Sequence, residues 1–534
     1  MTGQYGATPE GPATSAVSRR RFLRQSATAA GAIVVGFDLS TRAWATSGQP
    51  TGSLARGFPA FDGALRTGAG ARLPAADDFG HIVHRRPMAV LEPGSVEDIA
   101  RLIRFAARHG IDVAARGEGH SAFGQSQVRG GVVIDMRRLA RVHRIDPTSV
   151  AADAGVTWRA LLDATLARGL TPPTLADYQD LSVGGTLSVG GIGGAGLRHG
   201  AQVDNVLALD VVTGEGRRVR CSRARSPLLF DAILAGRGQC GVITRAVLKL
   251  IPAPSTVRLF DLLYVDLATF AADARTVVRD GRFDTVQGLV VPSPAGGWAY
   301  LLEATSSSGR GDDELLAGLR DVRGEATITD MPFAAYATRL DPIVEAQQAS
   351  GDWARPHPWF GVWLPDRHAE AFAGRVLSEL TLRDTGGGPI LLYPTRSQPF
   401  ARPLLRVPAG ELIWQFNILR NALPSTASAE AMVNDNRVLL QRARRVGGFD
   451  YPVGATPVSQ REWARHYGRA WPAFLRAKRR YDPQRILAPG QGIFTSPAGM
   501  HRRVTPSGGR RAAAQVPAAT PLRSATSATM SRMI

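Results

Sequence analysis

Two glycines bracket a glutamate just ahead of a histidine in the run Ala114-Ala115-Arg116-Gly117-Glu118-Gly119-His120-Ser121. Glycine lets main-chain N–H groups close on a pyrophosphate, because no Cβ intervenes and positive φ is open to it. A histidine at the end of such a loop can be a base, a metal ligand or an attachment point for a cofactor. A second glycine run, Gly191-Ile192-Gly193-Gly194-Ala195-Gly196, satisfies the G-x-G-x-x-G spacing of nicotinamide-binding folds. That motif needs a strand before it and a helix after it, with the pyrophosphate on the helix N-terminus. Here Leu197-Arg198-His199-Gly200 and a β-rich segment follow instead, so a glycine loop laid against another flat cofactor is the better reading.

Other chemistries lack their residues. The ten histidines and two cysteines form no H-E-x-x-H or paired C-x-x-C set, so no metal site is expected. No G-x-S-x-G elbow marks a hydrolase. Cys221 and Cys240 make no disulfide framework and read as buried free thiols, although an oxidising compartment would let them pair.

The elements that must position the loop follow from caps and periodicity. Ser95 opens a helix through a capping box with Asp98; Ile99, Leu102, Ile103 and Ala106 share one face, and Gly110 closes it. Residues 111–115 then form a buried strand feeding the glycine loop, and residues 131–136 form another. Thr157 caps a second helix, with Leu161, Leu162 and Leu166 inward and Gly169 at its end. Residues 207–219 and 241–251 are rich in β-branched side chains. Alternating strands and helices give an α+β or α/β body. Pro252-Ala253-Pro254-Ser255 marks a domain boundary. Beyond it, residues 255–450 read as a sheet with flanking helices. Ser459 and Glu462 form a further capping box, opening a helix with Trp463, Tyr467, Trp471 and Phe474 that Pro472 kinks. Residues 501–534 read as disordered.

The 534 residues carry a formal charge of +19, and nearly all the cations are arginine, with lysine only at Lys249 and Lys478. No nucleic-acid module accompanies that charge, so nucleic acid is not an expected partner. Ser18-Arg19-Arg20-Arg21-Phe22-Leu23-Arg24 fits the twin-arginine export pattern, an apolar segment of roughly residues 27–37 follows, and Ala43-Trp44-Ala45 is a cleavage site. Residues 1–45 are therefore a signal peptide for the twin-arginine machinery, which carries proteins already folded and often loaded with cofactor. The mature protein is expected outside the cytoplasmic membrane, with no membrane span.

Gly119-His120-Ser121 with Gln125, Asp177-Tyr178 followed by Leu181-Ser182-Val183-Gly184-Gly185-Thr186-Leu187-Ser188, and Arg198-His199-Gly200 resemble the flavin domain of the vanillyl-alcohol-oxidase/PCMH superfamily. Within it the chain most resembles the cytokinin dehydrogenase (cytokinin oxidase) family, through Gly238-Gln239-Cys240-Gly241-Val242-Ile243-Thr244-Arg245, Pro356-His357-Pro358-Trp359, Gly388-Pro389-Ile390-Leu391-Leu392-Tyr393-Pro394 and Ile486-Leu487-Ala488-Pro489-Gly490-Gln491. The resemblance covers roughly residues 80–500. It implies an α+β chain: a two-part PCMH-type FAD-binding domain of residues 80–253 and 455–500, with an α/β substrate (cap) domain of residues 254–454 inserted.

The resemblance also implies the site. His120 would be joined to the flavin 8α-methyl group of FAD. Ala115, Gly117, Glu118, Gly119, Ser121 and Gln125 would line the pyrophosphate and ribityl chain; Ser182, Ser188, Ile192, Val242, Ile243, Tyr451 and Gln491 would complete the cofactor site. Related flavoproteins with two covalent links carry a cysteine in the stretch that here reads Gln179-Asp180-Leu181-Ser182, so a single histidyl link is expected. Asp177 would be the catalytic carboxylate, taking a hydrogen bond or proton from a substrate amine while a hydride leaves the adjacent carbon. Where the family commonly has a glutamate, in a stretch resembling residues 283–288, this chain has Gln287; the amide can still hydrogen-bond to Asp177 but cannot share a proton with it. His357 and Trp359 would shape the pocket. The implied activity is oxidation of the N6 side-chain amine of cytokinin-like adenines to adenine plus an aldehyde, with oxygen or a quinone reoxidising the flavin. The alternative is another amine, an alcohol or a sugar on the same fold.

Overall fold

The computed structural model describes residues 34–38, 43–46 and 59–494. The helix capped by Ser95 runs Val96–His109, with the Ser95 side chain accepting from the Asp98 N–H and Gly110 closing it at φ 61°. The expected capping box is only half made. Instead of returning to Ser95, the buried Asp98 carboxylate accepts the N–H groups of Asp62, Gly63 and Gly94 at 2.8, 2.8 and 2.9 Å, and so ties an incoming loop to the helix start. The face of Ile99, Leu102, Ile103 and Ala106 is fully buried, as the periodicity requires.

That face packs on a four-stranded mixed sheet in the order Ala64–Arg66, Ala89–Glu92, Val132–Asp135, Val113–Arg116. Its last two neighbours run parallel, and Val113–Arg116 delivers the chain to Gly117. A five-stranded antiparallel sheet follows in the order Arg218–Ser222, Val206–Thr213, Gly241–Lys249, Ser149–Asp153, Val142–Asp146. One hydrophobic core joins both sheets, and Tyr451, Trp463, Tyr467, Phe474, Ile486, Leu487 and Phe494 return from the far end of the chain to fill it.

Residues 256–450 form an eight-stranded antiparallel sheet with its own core. The order is Thr327–Pro332, Thr256–Tyr264, Trp298–Ser306, Thr285–Pro292, Ile390–Arg396, Leu412–Ile418, Phe360–Pro365, Phe449–Asp450. Side chains alternate between its faces. Phe260, Leu262, Val286, Val290, Leu302 and Ala304 point to one side and pack under the helix Leu267–Asp280 with its Phe270, Ala274 and Val277. Gln287, Glu303 and Asp261, which lie directly opposite one another across three neighbouring strands, share the other side.

One expectation changes. Pro472 does not kink a long helix. The capped helix Gln460–Tyr467 ends at Gly468, and Pro472 stands in the first turn of a new helix, Trp471–Tyr481, where a missing N–H costs nothing. The glycine run 191–196 has no strand before it, and the helix after it is the single turn Gly196–His199. Its glycines serve close packing: a Cβ on Gly193 would lie 1.9 Å from the Leu175 carbonyl oxygen. Cys221 and Cys240 are buried free thiols, each pushed up to about 12 by burial. Among the described residues no helix is long and apolar enough to cross a membrane. Val34–Asp38 pairs with Ala43–Thr46, while the arginine run 19–24 and the segment 501–534 lie outside the described residues.

Candidate functional site

The loop after Val113–Arg116 leaves five successive N–H groups, Gly117 to Ser121, that donate to no other protein group among the described residues. Such a row of N–H donors is an anion cradle. Glycine is required twice in it. Gly119 takes φ +74°. A Cβ on Gly117 would stand 1.9 Å from the Ser182 hydroxyl oxygen, so the loop lies directly on the start of the helix Val183–Leu187. Asp78 braces the loop from behind, accepting the Ser121 hydroxyl at 2.9 Å and the Gly124 N–H at 2.6 Å. Burial, partly offset by those bonds, pushes Asp78 up to about 6. A pyrophosphate fits this cradle.

His120 sits in a cage of rings. Phe79 stacks on it at 4.0 Å between centroids, with Tyr178 at 5.1 Å, Trp359 at 5.5 Å and Trp353 at 5.8 Å. Burial lowers its pKa to about 4, so at neutral pH the imidazole is uncharged and keeps a nitrogen lone pair. His357, in edge contact with Phe79 at 4.1 Å, is lowered to about 3 for the same reason. A cavity of about 470 Å³ opens beside His120, between Tyr178, Trp353, Arg116 and Asp180.

Asp177 stands at the junction of the two cores. The Gln287 amide donates to both its oxygens, at 3.1 and 2.9 Å, and Arg339 donates to Oδ1 at 2.9 Å. Arg339 also donates to Gln287 Oε1 at 2.8 Å and Glu303 Oε1 at 2.7 Å, with its guanidinium carbon 4.4 Å from the centre of the Tyr336 ring. The Gly191–Gly196 loop presses against this strand: Val286 donates to the Gly194 carbonyl at 3.1 Å, and a Cβ on Gly194 would come within 3.2 Å of Gln287 Cγ.

The other expected residues divide by what their polar atoms do. Ala115 lies on the strand entering the loop, and Glu118 is exposed on it. Ser182 caps the helix Val183–Leu187, accepting from the Gly185 N–H. Ser188 is turned into its own helix, donating to the Gly184 carbonyl at 2.7 Å. Gln125 spends both ends of its amide on the Phe123 N–H and the Gly454 carbonyl, so it fixes loops. Val242, Ile243 and Tyr451 are buried in the first core, with Ile192 packed against it. Tyr451 lies close to Gly190, whose Cβ would be 3.5 Å from its ring. The Gln491 side-chain oxygen is buried without a partner, a polar atom waiting for a donor. Arg339, Glu303 and Tyr336 were not legible in the sequence as site residues.

Comparison with known proteins supplies the family. Residues 87–222 match the family described as "FAD binding domain", and residues 298–494 match "Cytokinin dehydrogenase 1, FAD and cytokinin binding". The chain is 39% identical to an uncharacterized oxidoreductase of the fasciation locus of Rhodococcoides fascians, over 78% of this chain and 95% of that protein. It is 36% identical to cytokinin dehydrogenase 4 of Oryza sativa subsp. japonica, over 79% of this chain and 88% of the relative. Against cytokinin dehydrogenase 1 of Arabidopsis thaliana the identity is 32%, over 79% and 81%.

Proposed function

The chain belongs to the cytokinin dehydrogenase family of FAD-dependent oxidoreductases, and from that premise we propose that it oxidises the N6 side-chain amine of cytokinin-like adenines. The products are adenine and an aldehyde, once the imine is hydrolysed. One observation bears most of the reading: Asp177 is held by Gln287 and Arg339 at the junction of the two cores, 28% of its side chain still open.

FAD, when bound, supplies the hydride acceptor. The Gly117–Ser121 cradle holds its pyrophosphate, and His120 is its single covalent anchor, with a neutral ring nitrogen suited to bonding carbon. Asp177 accepts the N–H of the substrate amine, so charge that builds on nitrogen as the neighbouring carbon loses hydride is drained toward the carboxylate. Such general-base help is worth about 10²–10⁴-fold. Gln287 is a hydrogen-bond donor to that base and takes no proton itself. We further propose that the protein acts outside the cytoplasm, exported folded through the twin-arginine pathway, and that oxygen or a quinone takes the electrons.

Rapid mixing of the yellow protein with isopentenyladenine tests the proposal. Bleaching of the flavin is expected, slowed about 10²–10⁴-fold in Asp177→Asn with the colour retained. Bleaching by aldoses but not by isopentenyladenine would move the substrate to the sugar class. Acid-precipitated wild type should keep its pigment in the pellet, and His120→Ala should release it.

A further inference from the structure

The carboxylate of Asp177 has about four lone-pair positions. Side chains occupy three: Gln287 Nε2 reaches Oδ1 and Oδ2, and Arg339 Nη2 reaches Oδ1. Oδ1 is thereby saturated, and one lone pair remains, on Oδ2. This arrangement depends on which way the Gln287 amide points. Reversed, the amide would turn its oxygen toward the carboxylate and its NH₂ toward a guanidinium.

We infer that Arg339 is the positioning residue of this site: as a group that only donates, it orients the Gln287 amide and pins Asp177, so that one oxygen lone pair is presented to a substrate with a single N–H at the reacting nitrogen. The inference rests on the amine-oxidising reading of the same pocket. Arg339 Nη2 lies 2.8 Å from Gln287 Oε1, and guanidinium offers no acceptor, so only the observed orientation of the amide satisfies both neighbours. The arginine is in turn fixed from behind. Glu303 takes Nε and Nη2 in a two-point contact at 3.3 and 2.7 Å, and the Tyr336 ring supports the guanidinium from one side. Tyr336 is itself held by Thr285 at 3.1 Å.

The sheet explains why Glu303 is there. Gln287, Glu303 and Asp261 face one another across three strands, forming a polar row on the side away from the apolar core. Burial would lower Arg339, yet Tyr336, Glu303 and Asp177 together hold it well above its ordinary value, so it remains a cation throughout the working pH range. The contacts to Asp177, Gln287 and Glu303 Oε1 all leave from one nitrogen, Nη2, so a lysine ammonium with three N–H donors can replace them and loses only the Nε contact to Glu303.

The test compares wild type with Arg339→Met, with Arg339→Met/Glu303→Gln, which also removes the carboxylate that pairs with Arg339 from behind, and with Arg339→Lys. Crystal structures of the flavin-loaded double variant should show Asp177 rotated away from its observed place against Gln287. Flavin reduction by isopentenyladenine should fall roughly 10²-fold at saturating substrate while substrate affinity and flavin content hold, the size expected for a misplaced group of about 1 Å. Arg339→Lys should recover most of that rate. An unchanged Asp177–Gln287 pair in the double variant, or reduction at the wild-type rate, overturns the inference. If isopentenyladenine fails to reduce the wild type, the amine reading falls, and the crystallographic comparison still decides the role of Arg339.

Discussion

At the scale of single residues, the site is built from groups held in the protonation state their task needs. His120 and His357 are both kept neutral by burial, at about 4 and about 3. Each folded value lies below the unfolded one of 6.5, so the unfolded chain binds more protons in the interval between them. Their contribution to stability is therefore complete above pH 6.5 and is lost as pH falls toward 4. Asp78 and Asp450, raised to about 6, and Asp261, raised to about 7, act in the opposite sense, but they cancel when wild type is compared with a histidine variant. His357→Gln should thus melt lower than wild type near neutrality, and the gap should narrow when both are melted near pH 4.5. A gap that stays constant would mean that His357 is not buried as a neutral ring. Asp177 and Gln287 were legible because short motifs surround them. Arg339 was not: it stands 162 positions from Asp177, and no local pattern distinguishes it from the other arginines.

Among the elements, caps and glycines were the most readable signals, because their causes are local. Ser95, Thr157 and Ser459 each cap the helix expected of them. What the sequence could not show was which partner a glycine makes room for. The run 191–196 matches a nucleotide fingerprint by spacing alone, and its packing against Leu175 and Gln287 comes from chain segments far from it. Gly117 is the opposite case, with a cause that can be tested as a pair. An added Cβ collides with the Ser182 side chain, with Oγ at 1.9 Å and Cβ at 2.7 Å, and would lift the cradle off the helix start. Gly117→Ala should therefore lower bound flavin, measured as the ratio of visible to ultraviolet absorbance. Ser182→Gly clears both atoms and costs the helix cap only a few tenths of a kcal/mol, because glycine is tolerated at that position. The double variant should regain flavin. Failure to regain it would place the need for Gly117 in backbone conformation instead of in this contact.

Across the whole molecule, the cofactor loop is closed by the last part of the described chain. Val113, on the strand that feeds the loop, donates to the Ile486 carbonyl at 2.9 Å and accepts from Ala488 at 2.8 Å. Arg85 spans the Gly124 and Gly490 carbonyls, and Lys478 bonds Asp482 at 2.7 Å and the Gln239 carbonyl at 2.8 Å within the core. The cradle is therefore complete only after residues 486–494 have docked, so flavin retention reports on the finished fold. The sequence showed both ends of this closure as motifs, but their pairing is a long-range fact that periodicity does not encode. On the proposed twin-arginine route, which carries folded cargo, this closure would have to precede export. A chain ending at residue 500 should keep its flavin and leave the cytoplasm, because it retains every docking contact seen among the described residues. A chain ending at Gln484 lacks Ile486, Leu487, Gln491 and Phe494 and should lose both flavin and export, since an open core is refused by a pathway that carries folded cargo. Cell fractionation with a flavin assay on each fraction separates the outcomes. A colourless but exported short chain would break the link between closure and export, and a yellow short chain would show that the terminal segment is dispensable for holding the cofactor.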